Sequence, residues 1–403
     1  MKKIMTLAAA MLLCISAFAQ QALFGGTQLK SPEINPDNTV TFRFNAPKAI
    51  MVQLTGDFLP SVKRETQFGT FDAPGVVDLK QNDKGVWEYT SDVLAPELYM
   101  YSFIVDGLPV KDPANVFEIR DVNSVTNYFL ITKEKGDKGN LYSVNEVPHG
   151  TVSRVWYDSP TLGMKRRMTV YTPAGYEDNP KAKYPVMYLL HGMGGDEEAW
   201  INLGRTSQIL DNLIASGAAK PMIVVMPNGN VDEEAAAGEK AGGFAQPSMM
   251  HEGMMDGKFE QSFPDIIKYV ESHYRVIAKK SSRAICGLSM GGFHSMHISC
   301  YYPDLFDYVG LFSAAIMPNT NPGAELSPVY KDIDNQVKVQ FSKNPKLYWI
   351  GIGSADFLIN ANDEYRAKLD SAGFKYTYYP TGKGHIWENW RIYLSQFAPL
   401  CFK

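Results

Sequence analysis

Residues 282–292 read SRAICGLSMGG, a short apolar run that ends in three glycines arranged around one serine. A plain turn would manage with one glycine. Gly287-x-Ser289-x-Gly291 between a strand and a helix is the spacing of a nucleophile elbow, where missing side chains let a strained serine stand clear of its neighbours. Residues 284–286 supply the strand and residues 293–300 the helix. The backbone N–H of Met290, at the start of that helix, then lies beside any negative oxygen formed at Ser289. With 33 glycines in the chain, the pattern alone decides nothing, so the case rests on the other groups a reactive serine needs.

A serine of ordinary acidity is a poor nucleophile and needs a base. Among seven histidines, His385 ends the loop 381–385 after the strand-like residues 376–379 and precedes a terminal helix. It therefore stands at a strand's carboxyl end and last in the order serine, acid, histidine. His294 and His297 lie on the helix behind the serine, where packing or surface roles are expected, and no nearby ligand set completes a metal site with them. His273 and His149 read as surface or linker residues. The acid is expected between Ser289 and His385, just after a strand. Asp356 directly follows the apolar run 347–353 and is the candidate; alone it would read as a helix cap. Asp363 is the rival, although its position falls within the next helix. A second oxyanion donor is expected from residues 191–195, HGMGG, where an apolar strand enters a glycine-rich turn. Met193 is the chosen donor, with Gly192 and Gly194 as alternatives, and His191 is expected to brace the loop.

The elements that must hold these residues follow from hydrophobic patterning. Beyond about Val147, apolar runs at 186–190, 222–226 and 347–352 are separated by helical stretches such as 263–273, whose apolar positions recur at three and four. Continuous apolar strands alternating with helices imply a mostly parallel sheet covered on both faces, with chemistry at the strands' carboxyl ends. Residues 28–132 differ. Alternating runs at 39–44, 51–55, 85–90 and 99–105, the last closed by Asp106-Gly107, imply an all-β immunoglobulin-like sandwich. The charged, glycine-bearing stretch 133–147 reads as a linker, and 148–403 as the catalytic domain. Every candidate catalytic residue lies in that second unit, so the sandwich is expected to be dispensable for chemistry.

The N-terminus reads as a signal peptide over residues 1–19. Lys2 and Lys3 precede an apolar stretch, and Ala17-Phe18-Ala19 fits a cleavage site. The stretch is too short for a membrane span. Leu13 stands where a lipid-anchoring signal at Cys14 would want a small residue. Export to the periplasm or the extracellular space is expected. A net charge of -4, with 45% hydrophobic and 20% charged residues, describes a globular protein with no electrostatic grip on nucleic acid or anionic lipid. Cys286, Cys300 and Cys401 survive cleavage; that odd count excludes a disulfide framework while leaving room for one bridge. Cys286 is expected to be buried filler.

The motifs YLLHGMGG (188–195), GLSMGG (287–292) and GHIWENW (384–390) resemble the oxyanion loop, elbow and histidine region of the esterase-D-like carbohydrate esterases of family one. That group includes feruloyl esterases and acetyl xylan esterases. The resemblance runs from about Val147 to the C-terminus. The preceding sandwich resembles the early-set, glycogen-binding-like domain carried by many exported members. The resemblance implies an α/β-hydrolase with Ser289, Asp356 and His385 as triad and Met193 and Met290 at the oxyanion hole. It implies hydrolysis of ester substituents on feruloylated or acetylated xylan, with no cofactor. Enterochelin esterases pair a β-domain with a similar hydrolase, so a siderophore ester is an alternative substrate.

Three tryptophans, Trp200, Trp387 and Trp390, lie near these motifs and are candidates to stack on a sugar or phenolic ring, with core packing as the alternative. Residues 231–261 are rich in glycine, alanine and methionine and lack a period. They read as a lid or acyl-pocket wall, or as a disordered insertion. A non-catalytic carbohydrate-binding protein would share the sandwich but would have no use for a complete triad order. A lipase or peptidase would use the same triad, but no long apolar lid helices or charged specificity pocket are legible.

Overall fold

The structure, a computed structural model, describes residues 29–66, 69–241, 243–244, 246–316 and 326–403. The expected signal peptide, residues 1–19, lies outside the described residues. The N-terminal unit is built from antiparallel strands. One sheet has the order 33–34, 40–45, 86–90, 80–81; the other runs 118–121, 124–131, 97–105, 52–56, 75–78, with 108–110 paired to 97–105. Alternation directs Val40 and Phe42 of one sheet, and Leu54, Phe103 and Phe129 of the other, into a single core. Asp106 and Gly107 both take positive φ, 48° and 88°, as the two-residue hairpin between 97–105 and 108–110 requires.

The C-terminal unit holds an eight-stranded sheet in the order 151–159, 164–172, 223–227, 186–190, 283–288, 308–312, 347–353, 377–381. The first two strands run antiparallel, and the last six are mutually parallel. The central strands are apolar on both sides because both faces are covered. Val186, Tyr188 and Leu190 point into one core with helix Lys258–His273, whereas Met187 and Leu189 point into the other with helices Thr206–Ala215 and Trp387–Phe397. This is the α/β-hydrolase fold. No helix among the described residues is long and apolar enough to cross a membrane.

The stretch 133–147 is not a loose tether. It carries helix Lys138–Tyr142, and the Tyr142 side chain is fully buried. Asn212 donates from its side-chain amide to Leu141 O at 2.8 Å and Ser143 O at 3.0 Å. The sandwich packs on the hydrolase as well: Leu98 and Ile119 join the same hydrophobic cluster as Trp387 and Leu394. The guanidinium of Arg391, on the terminal helix, reaches Glu97 Oε1 at 2.9 Å and Leu203 O at 3.0 Å, with both charged groups buried. Truncating one partner of such a pair costs about 3–5 kcal/mol, because the other charge is left buried alone. The two units are thus fixed against one another.

Candidate active site

The elbow forms because the elements around it approach too closely for side chains. A Cβ on Gly287 would sit 2.6 Å from the Gly291 carbonyl carbon, and one on Gly291 would sit 2.4 Å from Leu190 O. The elbow helix Met290–Tyr301 can therefore start directly against the strands Arg283–Leu288 and Val186–Leu190. Ser289, its N-cap, is forced to φ 53°, ψ −114°. Such backbone costs on the order of 1–3 kcal/mol and survives only where the surroundings fix it. Here Ser289 N–H donates to Phe312 O at 2.9 Å, and Ser289 O accepts from Phe293 and Ala315 N–H at 3.0 Å each.

Asp356 and His385 meet as their order in the chain suggested. Asp356 is buried, and its Oδ2 lies 2.9 Å from His385 Nδ1. Its Oδ1 also accepts the Leu358 N–H at 3.0 Å, so the carboxylate caps the turn and orients the imidazole at once. Asp363 is exposed and bound to Arg366 at 2.6 Å, away from the site. The His385 ring is wedged between Phe357 and Trp390, with centroids 4.7 and 4.9 Å away.

The oxyanion loop is a tight turn in which Gly195 N–H reaches Gly192 O at 3.0 Å. Gly194 has φ +77°, so Met193 and Gly194 are the central residues of a type II turn. The Met193 N–H lies outside that bond. Met290 N–H, in the first turn of its helix, has no intrahelical acceptor. His191 braces the loop from below. Its Nε2 accepts from Gly229 N–H at 2.7 Å, which leaves Nδ1 to donate to Gly192 O at 2.8 Å. Burial pushes this histidine down to about 4, consistent with a neutral ring of one tautomer.

Ser289, His385, Gly192, Met193 and Gly194 line a single cavity of 410 Å³ whose walls are mostly apolar. Trp387, Trp390, Phe357, Leu358, Leu203 and Met249 supply much of the surface. Trp387 and Trp390 thus fit the expectation of ring contact. Trp200 does not: it is buried outside the wall, donates its indole N–H to Leu190 O at 2.8 Å, and packs edge-on against Trp387. Its role is to support the strand leading to the oxyanion loop. From the segment 231–261, Met249 reaches the cavity, while Phe244 and Met250 are exposed. The three cysteines are free and buried; burial pushes the Cys286 thiol well up, which suits filler rather than a nucleophile. His294 and His297 are buried, with His294 Nδ1 2.8 Å from Glu260 Oε1. Among the described residues, Asp232, Glu233 and His251 alone place potential metal-ligand atoms together, and Lys240 already pairs with Glu233.

Two features were not foreseen from the residues. The acidic run Asp196-Glu197-Glu198 after the oxyanion loop is held by arginines from separate elements. Arg120 reaches Asp196 at 2.5 Å, Arg167 reaches Glu197 at 2.6 Å and Glu198 at 2.7 Å, and Arg154 reaches Glu198 at 2.6 Å. Three consecutive acids at the entry to an otherwise apolar helix were the available signal. The second feature is that Arg120, Asp121 and Val122 of the sandwich line the cavity. Every candidate catalytic residue lies in the hydrolase unit as expected, but docking brings the sandwich's hairpin tip to the cavity wall.

Fold and site together define a serine hydrolase with an α/β-hydrolase core. Residues 159–399 match the Esterase family, and the chain belongs to it. It is 28% identical over 381 residues to an endo-1,4-beta-xylanase/feruloyl esterase of Xylanibacter ruminicola, a match covering 92% of this chain and 46% of the relative. An esterase of Mycobacterium tuberculosis, Rv1288, matches over 37% of this chain and 30% of its own length. The chain thus spans less than half the length of these curated relatives. A solved ferulic acid esterase shares 29% identity and a TM-score of 0.51, covering 62% of this chain and 97% of its own. The enterobactin esterase of Shigella flexneri, at 14% identity and a TM-score of 0.58, covers 90% of this chain and 92% of its own, and shares the fold.

Proposed function

We propose that the protein is an exported feruloyl-type esterase acting on ester substituents of plant cell-wall xylan through a Ser289–His385–Asp356 acyl-enzyme mechanism. The observation that carries this reading is the Asp356–His385 pair, with His385 lining the same apolar cavity as Ser289. Asp356 holds the Nδ1 proton of His385, leaving Nε2 bare toward the cavity. Nε2 takes the Ser289 proton as Oγ attacks the ester carbonyl, and Asp356 stabilises the imidazolium. The negative oxygen is received by the N–H groups of Met193 and Met290. His385 then protonates the leaving alcohol, and water, activated by the same ring, releases the acid.

A 410 Å³ apolar cavity lined by Trp387, Trp390 and Phe357 suits a hydroxycinnamoyl group better than acetyl, which would leave most of it unfilled. The likeness to a xylanase/feruloyl esterase and to a ferulic acid esterase supports the same choice. Export rests on the character of residues 1–19. The test is a panel of methyl ferulate, acetylated xylan and a catecholate siderophore ester, assayed for kcat/KM. Highest kcat/KM on methyl ferulate is expected. Preference for acetylated xylan or for the siderophore ester would overturn the acyl assignment.

A further inference from the structure

The sandwich hairpin formed by strands Glu118–Asp121 and Ser124–Ile131 does more than touch the hydrolase. Its Arg120 donates through one guanidinium nitrogen to Val122 O at 2.9 Å and through another to Asp196 Oδ2 at 2.5 Å. One side chain therefore stiffens the hairpin tip and grips the segment that follows the oxyanion turn. Asp196 is nearly buried, and its other oxygen accepts the Glu198 N–H at 3.0 Å, so the grip passes directly into the backbone. Only one residue separates Asp196 from Gly194, the third residue of the turn that also carries the Met193 N–H.

The hydrolase has in turn left room for the sandwich. A Cβ on Gly194 would lie 2.8 Å from Val122 Cγ2 and 2.6 Å from Met249 Sδ. The oxyanion turn is thus covered by one residue of the sandwich and one of the segment 231–261. A glycine there answers both its positive φ and this close approach. Val122 also lines the cavity beside Met249. These two independent observations, an ion pair on the loop and a side chain seated against the loop's glycine, join one domain to the other's catalytic turn.

We propose that the N-terminal sandwich is a working part of the esterase: Arg120 positions the oxyanion loop through Asp196, and Val122 forms a substrate-limiting wall of the cavity. The positioning half rests on the reading of Met193 N–H as an oxyanion donor; the wall half rests on the cavity alone. Arg120 touches no reacting atom. Its effect reaches the transition state through the geometry of the turn, so its loss acts on turnover whatever the acyl group. Val122 acts on fit, so its loss is felt most by a bulky acyl group.

The test uses the full chain, with p-nitrophenyl acetate and methyl ferulate as substrates and an aryl trifluoromethyl ketone as transition-state analogue. Removing one oxyanion donor outright costs about 100- to 1,000-fold, and loosening one is expected to cost about tenfold. Arg120→Ala should therefore lower kcat about tenfold on both esters, move KM little, and weaken the ketone in parallel. Arg120→Lys, which keeps the charge without the two-pronged grip, should fall between. Val122→Gly should raise KM for methyl ferulate about fivefold, the loss expected for an apolar contact of this size, with a smaller change on the acetate. Wild-type kcat and ketone affinity in a folded Arg120→Ala protein would overturn the positioning role, and an unchanged KM in Val122→Gly would overturn the wall. Should Arg120→Ala fail to fold by circular dichroism, wild-type kinetics from Arg120→Lys overturns the positioning role instead. A wild-type protein that hydrolyses the acetate but not methyl ferulate would sink the feruloyl reading alone, since Arg120→Ala is still read on the acetate and Val122→Gly on the bulkiest ester turned over.

Discussion

The elbow around Ser289 and the hairpin tip around Val122 border one cavity, but they are held there by different means. The elbow is local: glycines at 287 and 291 let a helix begin against its own strand, and backbone hydrogen bonds from Phe312, Phe293 and Ala315 fix the serine. The hairpin tip is remote, belonging to a sheet of the other domain. It is placed by the Arg120–Asp196 and Arg391–Glu97 ion pairs and by Leu98 and Ile119 in a shared core. The proposed nucleophile is thus fixed by short-range geometry, whereas part of the cavity wall and the Arg120 grip beside the oxyanion turn depend on how two domains dock. Chemistry tolerates little displacement.

The largest effect should come from striking the local side. Ser289→Ala removes the proposed nucleophile and should lower kcat on any small ester by about a million-fold, the scale seen when a triad serine is lost. The melting temperature should hardly move, because the backbone strain at 289 is set by the glycines. A small change in turnover would mean that another group attacks the ester.

The next sharpens the triad itself. Asp356→Asn keeps the size of the side chain but favours the wrong imidazole tautomer, which costs about ten-thousand-fold in turnover where it has been measured in a serine protease. Asp363→Asn should change little, since that carboxylate is exposed and bound to Arg366. Kinetics of both variants on one ester decide between them. A crippled Asp363→Asn with a near-normal Asp356→Asn would reassign the acid.

These two predictions concern residues that were legible in the sequence, and the reason is physical. An elbow, a post-strand acid and a loop histidine are each specified within a few residues of chain, so Ser289, Asp356 and His385 could be named from order and spacing. The sheet was legible for the same reason: runs such as 186–190 must be buried on both faces. Docking was not. Glu97 and Arg391 lie 294 residues apart, and nothing local to either announces a partner. The stretch 133–147 read as a linker because residues 133–139 are charged and glycine-bearing, while Tyr142, a few residues on, is what anchors it. Trp200 was left open between ring stacking and core packing, because nearness in sequence to the oxyanion loop does not tell which side of the strand a ring occupies; it lies in the core.

Where the two regions touch, a smaller change should report on both. Gly194→Ala meets a positive φ, Val122 and Met249 at once. A left-handed alanine costs roughly 1–2 kcal/mol, and if the strain displaces the Met193 N–H, kcat should fall about tenfold with KM less affected. Wild-type kcat in this variant would show that the turn does not depend on its cover.

The smallest effect concerns pH. Burial holds His191 and His297 down to about 4 from an ordinary 6.5. Between those values the unfolded chain binds protons that the folded chain refuses, so stability should fall as pH drops through this window, by on the order of 1–3 kcal/mol per histidine. Above pH 7 neither should contribute. His297→Gln should make the melting temperature depend less steeply on pH from 7 to 5, whatever it does to stability at neutral pH. A slope identical to wild type would mean that His297 is not held neutral.

The serine raised by the elbow should be the group that attacks. A fluorophosphonate reacts with an activated serine and leaves a stable phosphonyl ester, which intact-protein and peptide mass spectrometry locate directly. One adduct per chain is expected, on the peptide carrying Ser289, absent from Ser289→Ala and strongly slowed in Asp356→Asn. An adduct of undiminished yield in Ser289→Ala, or one mapped to another residue in the wild-type protein, would contradict it.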